Sequence, residues 1–366
     1  MPDVLFGECV AEADAVMSDE TSSGTEQRGW LQRWRAGRAH EQQRAQALHE
    51  AIEQVVDAVD PRLRAVTGYS KDLAPAIERA LAYLDELDRQ LPPAIEISAR
   101  AWSADPLVRA LFANVEQLHE LFGTSRALHE FFDANPQCSE AFVGLGATRE
   151  ERKVLGMALT GEIVQREVAQ TTVGFTAFRL VGATRTEPEL RARVRARGFE
   201  FLVGMALGRC AARHAGTATR EEDPQRLRIE LSALEFERRA VEGLFDATDE
   251  TGTRIDALRE RLARSAVTPG AASAAPTVLE DNLDVIREVF GQPERHLRLE
   301  SVCLRLDRMN IKVESVRSPA EELSLVEVAI GTFPARVVVL ARYPRAELPA
   351  AEDWLVRAER QLGALR

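Results

Sequence analysis

Cys210 follows Arg209 and precedes Arg213 and His214 in a segment rich in Gly, Ala and apolar residues. Converging cations lower a thiol's pKa, and on a helix His214, four residues on, reaches the sulfur, so the grouping could prepare a thiolate or hold a ligand. The plainer reading is a small buried hydrophobe, the commoner fate of a thiol on such a helix. Upstream, Glu162, Gln165, Arg166, Glu167 and Gln170 form a polar stripe. Facing a cleft, Glu162, Gln165 and Arg166 would bind a ligand. On a wetted face, Glu162 and Arg166 make an ordinary i,i+4 ion pair.

Two further groupings are suited to anions. Arg191, Arg193, Arg195 and Arg197 form two helical ladders, 191 with 195 and 193 with 197, opposed locally by Glu187 and Glu189. Phosphate contact is the functional reading. Ion pairing with acidic helices of the same chain competes with it, and 58 acidic residues supply partners. Trp30 and Trp34 stand one helical turn apart among Arg28, Arg33, Arg35 and Arg38. Such a segment can stack on nucleic acid or lie on an anionic membrane surface. It can equally dock its tryptophans in the core while the arginines stay in water.

The sequence carries no metal or nucleotide motif. The six histidines form no HxxxH, HExxH or Cys/His cluster. Residues 246–257 resemble a calcium loop only until Thr251, where glycine is needed, and Ala257, where the bidentate Glu belongs. Neither a phosphate-cradling GxxxxGK[ST] nor a GxSxG elbow occurs. The expectation is therefore no cofactor and no metal.

A net charge of −11 disfavours nucleic acid as the main partner. Four scattered cysteines without a CxxC pair suggest free thiols in a reducing compartment. Asp3 and Glu8 interrupt the N-terminus as a signal peptide, and no apolar run reaches the length of a membrane span. These features together suggest a protein of the bacterial cytoplasm.

The elements that must position these groups centre on Ala147–His214, the most uniformly apolar stretch. Thr148 with Glu151, and Thr186 with Glu189, read as two capping boxes, each opening a core helix. Within the first, residues 171–181 are rich in β-formers yet continue the helical stripe, and the assignment goes to helix over strand. Residues 1–29 read as a flexible peptide and linker, and 30–266 as a multi-helix domain ending in an antiparallel hairpin at 224–266. Val267–Pro276 reads as a linker, and 277–366 as a small α+β domain. That domain holds a four-strand antiparallel meander at 297–306, 311–316, 323–330 and 336–343, flanked by helices, the last at 351–365. The expected fold class is thus mainly α with a small C-terminal α+β domain.

The function this reading supports is non-catalytic: a cytoplasmic scaffold or adaptor that presents helical surfaces to a protein partner or to itself. Nucleic-acid or anionic-surface binding through the Arg/Trp groups is one alternative. An enzyme with its site between helices is the other.

Overall fold

The computed structural model describes residues 44–160, 163–217, 224–241, 249–265, 276–313, 320–331 and 333–349. Trp30, Trp34, Glu162, most of the expected linker and the expected closing helix at 351–365 lie outside them. The chain divides into two units, Met1–Gln54 and Val55–Arg366. The first is described over residues 44–54, all of them within helix α1 (44–59).

In the second unit the fold-class expectation fails at its centre. The helix expected from Thr148 through residues 171–181 is a long β-hairpin. Its strands, β2 (Glu140–Thr160) and β3 (Ile163–Thr184), pair antiparallel from Phe142↔Thr184 to Thr160↔Ile163. The physical reason lies in composition. β3 is dense in β-branched and aromatic residues (Ile163, Val164, Val168, Thr171, Thr172, Val173, Phe175), which favour a pleated surface. Gly156 and Gly174, inside the expected helix, would each weaken it. Glu151, read as a capping carboxylate, instead meets Arg149 on its own strand and lies 3.5 Å from Lys312 Nζ.

The second start is a helix. Glu189 N donates to Thr186 Oγ1 at 3.4 Å and Arg185 N to Glu189 Oε2 at 3.0 Å, opening the helix Glu187–Thr217 (α7 below) with Pro188 in its first turn. Before the hairpin the chain forms α2 (Tyr69–Gln90), β1 (Ile95–Glu96) and four short helices. These are α3 (Ala99–Ala104), α4 (Pro106–Leu111), α5 (Val115–Gly123) and α6 (Arg126–Ala134). Ser98, Asp105, Asn114 and Ser125 cap them through their side chains. After α7 come α8 (Pro224–Val241), α9 (Asp249–Ser265) and α10 (Pro276–Gly291). The strands β4 (Leu297–Leu306), β5 (Glu321–Ile330) and β6 (Arg336–Pro344) follow.

All six strands join one sheet, in the order β3-β2-β6-β5-β4, with β1 parallel to β6 and every other pair antiparallel. The protein is therefore α+β with a mixed sheet built from both sides of residues 267–276, not a mainly helical domain beside a four-strand meander. β4, β5 and β6 do form a meander. Of the strand expected at 311–316, only Ile311 and Lys312 pair, in isolated bridges, and 314–319 lie outside the described residues.

Strand alternation divides the sheet's burden between two faces. On one, Leu145, Leu325, Val337, Val339 and Tyr343 pack with Phe112, Leu118, Phe122 and Phe132 of the α3–α6 segment. On the other, Val326 and Leu340 meet Leu91, at the end of α2, and Leu190 of α7. The 307–313 turn then folds back from β4. Leu306 bridges Lys312, Thr172 bridges Ile311, and Val173 N donates to Asn310 O at 2.8 Å. Asn310 adopts φ 57 to make the turn and donates Nδ2 to Ala110 O at 2.9 Å. The two edges of the sheet, β3 and β4, are thereby tied together, which removes exposed edge at that end.

Helix α8 packs along α7 and α9 along α8. Glu230 pairs with Arg254 and Glu235 with Arg259, each at 2.9 Å. Among the described residues no helix is long and apolar enough to cross a membrane.

Candidate functional site

α2 and α7 lie side by side over the second face of the sheet and leave a groove between them. Leu84, Leu87 and Leu91 come from α2; Leu190, Val194 and Phe201 come from α7. The floor is β4, β5 and β6, through Leu299, Val328, Ile330 and Val338. Gly198 sets the approach of the helix to this floor: a Cβ there would sit 2.8 Å from Leu84 Cδ2 and 3.4 Å from Leu297 Cδ2. The groove has a cavity volume of about 90 Å³.

The four arginines singled out on α7 have different fates. Arg191 is a clamp on the end of α2. Its Nη1 donates to Asp88 O at 2.7 Å, and its Nη2 to Leu91 O at 3.1 Å and Pro92 O at 2.9 Å. Its Nε meets Glu187 Oε1 at 2.8 Å. Unpaired C-terminal carbonyls of one helix are thus satisfied by a cation of the next. Arg195 pairs with Asp85 at 2.9 Å and Arg197 with Glu200 at 3.1 Å. Arg193 has no carboxylate within ion-pair distance among the described residues, and it is exposed at the edge of the groove. Its side chain lies over Gly182 of β3, where φ is +63 and a Cβ would come within 3.1 Å of Nη1 and 3.2 Å of Cδ. Glycine serves twice there, supplying the left-handed backbone and the space for the guanidinium.

The other candidates separate. Cys210 is fully buried, and burial pushes its thiol up to about 12, outweighing the opposing effect of Arg213. It is a core residue in α7; His214 follows in the same helix. Gln165 and Arg166 stand at the far end of the hairpin, opposite Ala158 and Met157, on a different element from Cys210 and His214. Arg166 lies on a strand, not on the expected helix, and is exposed. Arg336 is buried, its Nη2 donating to the Ala177 carbonyl. Arg342 meets Glu140 at 2.8 Å and Glu96 at 2.9 Å, stitching β6 to β2 and β1.

The groove itself was not anticipated. Its signals were the period-2 alternation of Leu297, Leu299 and Val326, Val328, Ile330, and the apolar side of α2. What joins them is a tertiary arrangement.

The hairpin supplies a second surface. β2 pairs with β6 only as far as Ala147↔Val337, and the 307–313 turn supports β3 only up to Thr171 and Thr172. Beyond that, Lys153–Thr160 and Ile163–Gln170 form a two-stranded arm of roughly 25 Å, at about 3.3 Å per residue. No other described strand lies beside it. Leu155 and Met157 are 73% and 67% exposed there, and Val154 40%.

No family model, no curated protein and no solved structure matches this chain.

Proposed function

We propose that the protein works by binding, as a scaffold or adaptor, and that the β2–β3 arm is the element that engages its protein partner. The observation that carries this is the exposure of Leu155 and Met157 on a ribbon that has run past its sheet. A two-stranded ribbon is marginally stable alone in water, and exposed apolar side chains along it gain by burial on another surface. The helical surfaces expected to carry partners give way in this reading to a strand element. The α7 arginines do not favour the nucleic-acid alternative, because Arg191, Arg195 and Arg197 are held by carboxylates of the same chain.

The test is site-specific photo-crosslinking of the full chain in its own cells, with the crosslinker at Leu155 or, as control, at Arg100, which is 87% exposed on α3. A discrete protein adduct, whether a different chain or a covalent dimer, is expected from position 155 only. Met157→Asp should reduce it at least tenfold while leaving the unfolding midpoint unchanged, since surface substitutions stay within about 0.5 kcal/mol. Adducts no stronger than those from position 100 would overturn the reading.

A further inference from the structure

The groove between α2, α7 and the sheet is lined by hydrocarbon over nearly its whole length, yet its rim carries Arg193, Arg195 and Arg197 against a single carboxylate, Asp88. Asp88 belongs to Arg191, at 3.3 Å. Arg195 and Arg197 are engaged as described. The remaining cation is Arg193, packed over Gly182 with its charge facing no described carboxylate. An apolar trough beside an uncommitted guanidinium is complementary to a molecule with an apolar body and an anionic end.

Size narrows the class. With a cavity volume of about 90 Å³, against the roughly 150 Å³ that accommodates a benzene ring, the groove suits one slender apolar chain over a bulky ring or a pair of acyl chains. Head-group chemistry narrows it again. The planar guanidinium fork offers two parallel N–H donors, which match the two oxygens of a carboxylate.

We propose that this groove binds a free single-chain aliphatic carboxylate, its tail along Leu84, Leu91, Leu299 and Val338 and its head on Arg193. The site shares no residue with the arm, so the two proposals stand or fall separately.

Calorimetric titration of the delipidated full chain with octanoate, decanoate, dodecanoate and tetradecanoate, each below its micelle concentration, tests it. Saturable one-to-one binding is expected, tightening about threefold to fourfold per methylene while the added carbons are buried. Dodecyltrimethylammonium, with the same tail and a cationic head, should bind at least tenfold more weakly than dodecanoate. Arg193→Ala should weaken dodecanoate at least tenfold and leave dodecanol unaffected, a difference that a merely misfolded variant would not give. Leu299→Trp, which fills the trough from a partly exposed position, should weaken acid and alcohol alike. Three results would overturn the proposal: no saturable binding, equal affinity for the cationic and anionic amphiphiles, or no effect of Arg193→Ala.

Discussion

Arg149 Nε donates to Glu327 Oε1 across 2.6 Å at the point where β2 runs past the end of β6. The last β2–β6 pair is Ala147↔Val337, and Glu327 stands opposite Val337 on β5. Arg149 therefore spans the place that β6 no longer fills, fastening the root of the arm to the strand beyond. Both side chains are shielded, at 22% and 12% exposed, and the bond to Glu327 holds the guanidinium pKa up. Arg149→Ala strands a carboxylate with little water around it. The expected loss is about 2 kcal/mol, below the 3–5 kcal/mol of fully buried pairs because solvent still reaches this one. Denaturant unfolding of Arg149→Ala, Glu327→Ala and the double variant should show the double losing less than the sum of the singles.

Two residues other than glycine hold left-handed backbone in β3: Ala177 at φ 48 and Glu167 at φ 59. Each sits where the hairpin register slips, next to Thr148↔Thr176 and next to Met157↔Arg166. A side chain there costs about 1 kcal/mol relative to glycine. Ala177→Gly is expected to raise stability by up to about 1 kcal/mol, measured as an upward shift of the denaturant midpoint. A loss would mean that the conformation is not retained in solution.

His296 is buried between α10 and β4, and burial, reinforced by Arg209, depresses its pKa. A depressed imidazole pKa favours the neutral ring in the folded state. Its contribution to stability is thus full above the unfolded value of about 6.5 and falls away as pH drops through the folded one. Unfolding free energy should decline below pH 6.5, and His296→Gln should flatten that part of the profile. An unchanged profile in the variant would remove the assignment.

Thiol chemistry should divide along burial. Cys303 is exposed on β4 and Cys210 is fully enclosed with a raised pKa. Alkylation of the native protein at pH 8, followed by peptide mapping, is expected to modify Cys303 within minutes and to spare Cys210 until denaturant is added. Prompt labelling of Cys210 would show that α7 opens readily.

Before residue 135 the helix starts at Asp105 and Ser125 were legible, because both carry their capping signals locally. The starts at Ser98 and Asn114 were not, and residues 107–122 read as one helix where the chain breaks before Asn114. The meander of β4, β5 and β6 was legible through its alternation. The hairpin was not. Val164, Val168 and Phe175 fall at spacings compatible with one helical side, and two hydroxyl–carboxylate pairs looked alike at Thr148 and Thr186. Only the second caps a helix, since the first lies in a run whose glycines and β-branched residues oppose one. The Arg193 site depends on contacts between α7 and β3, and Gly182 gave no sign in the sequence that an arginine would lie across it.

The union of β2 with β6 also sets an order of events during synthesis. The hairpin can close as soon as residue 184 is made, but Val337, the partner of Ala147, comes about 190 residues after it. At roughly 5–20 residues per second, that is an interval of about 10–40 s in which the inner edge of β2 has no neighbour. The nascent chain must carry an open strand edge across that interval, and whatever shields it on the ribosome acts before the sheet exists.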